Sequence, residues 1–209
     1  MGGESRIRVA GSSLARPEWP RGVDEPSNPP GRDRYRRSVE AIRLEPFSRS
    51  HLVVIAELVA DPDVQRFTRF PVPAPPDFAE IWWTRLEEGR GRKSRETFAV
   101  IDGNGAGVLG IAGAPRIDHE ARTAELGYLI VPAARGRGVA TEALRMLTTW
   151  AFSDLRALRL ELLISVKNEP SKLVASRCGY VHEGVLRSLY LKDDVRWDTE
   201  IWSRLPSDP

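Results

Sequence analysis

Between residues 39 and 205 the apolar positions recur with two periods, and each change of period marks an element. Val39 to Phe47 reads as a strand that stops at Pro46. Ser48 or Ser50 can cap a helix in which Leu52, Ile55, Ala56 and Val59 recur at helical spacing. Asp61-Pro62 opens a second helical turn through Phe67, since proline suits a first turn. The run Phe70 to Pro76 lacks the amides for a central strand and reads as a stiff loop. It leads into a helix capped by Asp77 and carrying Phe78, Ile81, Trp82 and Leu86. From Thr97 the period falls to two. Thr97–Ile101, Val108–Ile117 and Thr123–Val131 form a meander, with Asp102-Gly103-Asn104-Gly105 as a hairpin turn and Pro132 as a stop. Arg135 to Phe152 is a glycine-rich turn and a helix whose stripe is Ala140, Ala143, Leu144, Leu147 and Ala151. Leu158–Val166 alternates as a strand, Pro170–Cys178 is a short helix ended by Gly179, and 181–191 with 195–202 make a last hairpin. A meander followed by a β-α-β crossover predicts a mixed α/β (α+β) fold, one sheet with helices on both faces.

Residues 1–38 differ from this pattern. They hold Pro17, Pro20, Pro26, Pro29 and Pro30 and show neither period, so they are expected to form a flexible arm ahead of one domain, 39–205. The arm ends in Arg32, Arg34, Arg36 and Arg37, which suit a solvated linker, a contact with an acidic partner or an added lid. Composition adds mainly exclusions. With 31 basic and 29 acidic residues, no overall electrostatic case for nucleic acid exists. The N-terminus has no apolar run of signal-peptide length, and nothing approaches a membrane span, so a cytoplasmic protein without a membrane partner is expected. One cysteine, Cys178, cannot staple the chain, and three scattered histidines offer no metal-ligand spacing; no metal is expected.

The candidate chemistry lies where the third meander strand turns into a helix. Arg135-Gly136-Arg137-Gly138-Val139-Ala140-Thr141 places two glycines ahead of a helix N-terminus. Glycine lets backbone amides approach an anion, and a first helical turn leaves amides unpaired, so the segment can cradle phosphate; Arg135 and Arg137 add charge for a polyphosphate. A glycine pair also occurs in plain tight turns. The lysine-containing Walker pattern and the G-x-G-x-x-G spacing are both absent.

Arg135-x-x-Gly138-x-Ala140 after a strand resembles the pyrophosphate-binding motif of the GCN5-related N-acetyltransferases (the GNAT family). Asn168-x-x-Ser171 and Cys178-Gly179-Tyr180 resemble a second segment of that family. Glu183-Gly184-Val185-Leu186-Arg187 and Trp197-Asp198-Thr199-Glu200 look like its branch that acetylates ribosomal-protein N-termini, a branch with many relatives that use other acceptors. The resemblance spans about residues 39–205. It implies a mixed, largely antiparallel sheet of about seven strands, in which 123–131 and 158–166 splay apart to leave a slot for a pantetheine arm. It implies an acetyl-CoA-dependent N-acetyltransferase whose acceptor is a peptide N-terminus or a small-molecule amine, acting as a monomer or homodimer. An acyl-CoA-binding sensor without turnover is the other reading.

Carried over residue by residue, the amides around Arg137 to Thr141 would hold the pyrophosphate. The backbones of Leu129 and Val131 would pair with the pantetheine amides, and Asn168 would hydrogen-bond the same arm. Ser171 would sit near the sulphur. Attack by an amine requires that it be neutral, that the carbonyl oxygen be stabilised and that the thiolate leave. Glu125 is the first candidate base, with an ion-paired glutamate as its alternative; Glu183 is the second. The tyrosine that many relatives carry as acid is replaced at the corresponding position by Ala175, so Ser171 remains, as acid or as a plain helix serine. Trp82, Trp83, Tyr190 and Trp197 are available either to the acceptor side or to the core.

Overall fold

The computed structural model describes residues 42–105 and 107–209; the expected arm, 1–38, and the start of the expected first strand lie outside them. The elements follow the periodicity to within a few residues. β1 (Ile42–Pro46) leads through a 3-10 turn to α1 (Leu52–Ala60), α2 (Pro62–Phe67) and α3 (Phe78–Gly91). β2 (Glu96–Asp102), β3 (Val108–Asp118) and β4 (Thr123–Ile130) form the meander. α4 (Val139–Ser153), β5 (Arg159–Ser165), α5 (Glu169–Arg177), β6 (Val181–Lys192) and β7 (Val195–Arg204) complete the chain. Ser48 starts the turn before α1, its amide donating to His51 Nδ1 at 3.1 Å. Asp61 caps α2 by accepting from the Val64 amide at 2.9 Å. Asp77 occupies the cap position of α3, but its side chain makes no capping bond there.

The seven strands form one sheet in the order β1-β2-β3-β4-β5-β7-β6, antiparallel everywhere except between β4 and β5. Five consecutive residues of β3, Gly110 to Ala114, are buried, so both faces of the sheet are covered there. α1 packs on β3 and α3 on β2, while α4 packs on β1, β3 and β4. Phe98 of β2 meets Trp150 of α4 edge to face at 4.9 Å. Ala112 and Tyr128 share a rung line with Phe98, so they lie on the α4 face. Trp82 and Trp83 pack against Phe47 and belong to the core on the α3 side. Among the described residues, no helix is long and apolar enough to cross a membrane.

Candidate active site

The parallel seam is short. β4 and β5 pair only at Thr123–Arg159, Ala124–Leu160 and Glu125–Glu161. Beyond Glu125, β4 runs on to Ile130 beside β3, and β5 runs on to Ser165 beside β7, without pairing to each other. A wedge-shaped slot therefore opens in the middle of the sheet, between the two strands the sequence singled out.

The slot opens toward the glycine turn. Gly136 and Gly138 have φ of 74° and 84°, a region that side chains with a Cβ rarely adopt. Gly138 is the N-cap of α4, and the first backbone bond of that helix runs from the Glu142 amide to the Gly138 carbonyl at 3.1 Å. The amides of Val139, Ala140 and Thr141 precede the helical ladder and face outward at its positive end. The Val139 and Thr141 side chains are buried and fix the turn from below. Cys178 supports it, its thiol donating to the Thr141 carbonyl at 3.4 Å. Burial pushes that thiol up, which suits a packing role.

Arg135 does something different from what its sequence position suggests. Its guanidinium donates to Asp61 at 2.6 Å, to Asp63 at 3.1 Å and, through Nε, to the Ile130 carbonyl at 3.0 Å. Burial alone would raise the Asp61 carboxyl, but the bonds from Arg135 and the Val64 amide outweigh it and hold the carboxyl below its ordinary range. The side chain thus ties the turn to α2, and its charge is already matched. Arg137 is exposed at the turn.

The backbone that faces the slot also needs correcting. The Val131 amide donates to the Leu109 carbonyl of the neighbouring β3 segment at 3.0 Å, and the Val131 carbonyl accepts from Ala134 at 3.0 Å. Leu129, two residues earlier and opposite Ile111, points its backbone the same way, toward β3. At the other end of β4 the Arg122 carbonyl accepts from Leu158, so the even-numbered residues face β5. Tyr128 and the amide of Ile130, whose carbonyl already accepts from Arg135, rather than Leu129 and Val131, present backbone groups to the slot.

Side chains near the seam divide between the two faces. Glu125 alternates with Tyr128, so the two project to opposite sides of β4. Glu125 sits beside Glu161 on the adjoining rung, and Arg116 lies 3.6 Å from the first and 3.7 Å from the second. Burial pushes the Glu125 carboxyl above its ordinary range, opposed by Arg116 and Arg69 and reinforced by Glu161. Glu183, the second candidate base, is bound by Arg159 at 2.9 Å and by the Ser203 hydroxyl at 2.6 Å, which lower it to about 2. So weak a base is a poor proton acceptor, and Glu183 is set aside.

On the α4 face, the Tyr128 and Ser171 hydroxyls share a hydrogen bond of 3.0 Å across the slot, from β4 to α5. Burial pushes the Tyr128 phenol up to about 12, so it keeps its proton at neutral pH. The sequence reading missed Tyr128. Its signal was available: three residues beyond Glu125 in a strand lies the opposite face. Ala175, where the resemblance lacked its tyrosine, is fully buried. Asn168 caps α5, its Oδ1 accepting from the Ser171 amide at 3.2 Å, so only its amide nitrogen is left to donate toward the slot. Tyr190 and Trp197 line a small recess on the Glu125 side with Ser165 and the residues that end α2.

Comparison with known proteins agrees with this geometry. Residues 41–181 match the family model described as an acetyltransferase (GNAT) domain. A putative ribosomal N-acetyltransferase, YdaF of Bacillus subtilis, is 32% identical over 117 residues, covering 53% of this chain and 64% of YdaF. The L-amino acid N-acetyltransferase AaaT of Escherichia coli is 29% identical over 153 residues, covering 72% of this chain and 90% of AaaT. Among solved structures, the spermidine N-acetyltransferase of Vibrio cholerae in complex with CoA and spermine superposes with a TM-score of 0.71 at 20% identity, covering 80% of this chain and 96% of that one. By family model, slot and glycine turn together, the chain belongs to the GNAT acetyltransferase family.

Proposed function

We propose that the protein is an N-acetyltransferase that moves an acetyl group from acetyl-CoA to a primary amine by direct attack in a ternary complex. The observation that carries this reading is the three-rung seam between β4 and β5, which opens onto the unpaired amides of α4. The residues fit the group. The amides from Arg137 to Thr141 receive the pyrophosphate, the backbones of Tyr128 and Ile130 act as the edge to which an amide-bearing arm adds, and Asn168 donates from the other wall. Acetyl-CoA supplies the activated acetyl group and a thiolate leaving group.

Glu125 accepts the proton of the incoming amine on one face of the sheet. The Tyr128–Ser171 pair, on the other face, delivers a proton to the leaving side, with Tyr128 as the positioning residue that orients the Ser171 hydroxyl. The slot lies between them, so base and acid approach the reacting carbon from opposite sides without neutralising each other. An amide of the Tyr128–Ile130 segment stabilises the developing oxyanion. A cytoplasmic setting is consistent with a lone, buried thiol.

Thermal melts with acetyl-CoA, coenzyme A, ATP and NAD test this reading. Ligand at about 100 times its Kd adds about 2.7 kcal/mol, which for a chain of this size raises the midpoint by roughly 5–10 °C. A rise with the two coenzyme A forms alone is expected; a rise with ATP or NAD instead overturns it. Thiol release in an amine screen then separates the enzyme from a sensor that binds without turnover.

A further inference from the structure

We infer that the acceptor amine carries a carboxylate, received by the recess at the end of α2; this rests on the acetyltransferase reading above. The recess, about 70 Å³, is lined by Arg66, Arg69, Ser165, Tyr190, Lys192 and Trp197 among others. Its position follows from the topology. Ser165 ends β5, one wall of the slot, and Arg69 and Tyr190 both interact electrostatically with Glu125. A molecule whose amine reaches Glu125 can therefore place its body in this recess.

The recess is cationic, and the carboxylate that Arg69 senses, Glu125, acts on it from beyond ion-pair distance. The Arg69 guanidinium lies 4.1 Å from the centre of the Tyr190 ring, and the Lys167 ammonium 4.4 Å from that of Trp197. Lys192 donates to the carbonyls of Gln65 and Thr68, which are neutral acceptors. Among the described residues, no carboxylate forms an ion pair within 4.0 Å of Arg66, Arg69, Lys167 or Lys192. Three carboxylates on this face have cations of their own: Arg116 bridges Glu125 and Glu161, and Lys172 holds Glu200 at 2.8 Å.

Arg66, Arg69 and Lys167 are exposed, so an incoming anion can reach them and gain charge-assisted hydrogen bonds. A polyamine would meet like charge instead. Shape and charge together thus select an amino acid or a short peptide bearing a carboxylate, with apolar surface against Tyr190 and Trp197.

The test pairs acceptors with the same kind of amine and different charge. Calorimetric titrations onto the full chain saturated with coenzyme A would compare Ala-Asp-Phe-amide with Ala-Asn-Phe-amide, phenylalanine with phenylalaninamide at pH 6, and spermidine alone. Thiol release with acetyl-CoA would be measured in parallel. The anionic member of at least one pair should bind about tenfold more tightly, the scale of one charge-assisted hydrogen bond, with the preference shrinking as salt rises. Arg66→Gln with Arg69→Gln should erase the ratio; a merely structural role would weaken both members alike. Equal binding within both pairs, tighter binding of spermidine, or a ratio untouched by the double variant overturns the inference while thiol release still supports the enzyme. Failure of the protein to bind coenzyme A overturns both.

Discussion

At the scale of single residues, the reaction depends on where protons sit before the substrates arrive. Glu125 is held above the ordinary carboxylate range by burial, with Glu161 adding to it. As base it must be ionised, so kcat/KM should fall as pH drops through that raised value and recover above it. Glu125→Gln should remove this limb and lower kcat about a hundredfold or more, with coenzyme A binding retained; an unchanged acid limb would assign the base elsewhere. Tyr128 and Ser171 form the opposite pole. If they act as one unit, Tyr128→Phe, Ser171→Ala and the double variant should lose similar amounts of kcat, because removing either partner breaks the same path. Additive losses would mean two independent roles. Tyr128→Phe should also cost about 1 kcal/mol in an unfolding titration, as the loss of one partly buried hydrogen bond.

Some of this was legible in the chain and some was not. The glycine turn stood out at the junction of strand and helix, Glu125 by its place in a strand, and Asn168 and Ser171 through the resemblance to the family. The tie that Arg135 makes did not, because its partners Asp61 and Asp63 lie more than seventy positions away and only folding brings them together. The Tyr128–Ser171 bond has the same origin, joining residues 43 apart.

At the scale of elements, periodicity and the placing of Pro and Gly identified the α-helices and strands of the described residues to within a few residues. The direction in which β4 points its amides was beyond them. That direction depends on which residues of β4 meet β3, and the pairing is interrupted by a bulge between Gly113 and Arg116. A one-residue change of register exchanges the two edges of a strand. Residue-resolved hydrogen exchange reads the result directly. The Leu129 and Val131 amides, turned toward β3, should exchange slowly with or without ligand. The Tyr128 and Ile130 amides should exchange fast alone and slow down when coenzyme A is added. The reverse assignment would restore Leu129 and Val131 as the slot-facing residues. α2 is the other element with a double duty. Its cap, Asp61, is tied through Arg135 to the glycine turn, and its far end carries Arg66 into the cationic recess. One short helix thus touches both the donor and the acceptor side.

At the scale of the whole molecule, the sheet is two sheets sharing a hinge. β1 to β4 form one antiparallel block and β5 to β7 another, and backbone pairing joins them at three positions. The proposed chemistry is divided not by that seam but by the plane of the sheet itself, with Glu125 and the cationic recess on one face and the Tyr128–Ser171 pair on the other. The helices that bridge the blocks, α4 and α5, lie on the second side and contact each other there. The proposed acceptor side would draw on α2 and the last hairpin, which lie outside the three rungs of the seam.

The shortness of that seam reaches beyond catalysis. A joint of three rungs is where such a chain opens first, and an arm that lies along both walls closes it as a rung would. Proteases cut what opens, so limited digestion should slow when coenzyme A is present. In a growing cell the protein's persistence would then follow the total supply of coenzyme A, acetylated or free, so that loss of acetyl groups would idle the enzyme without thinning it.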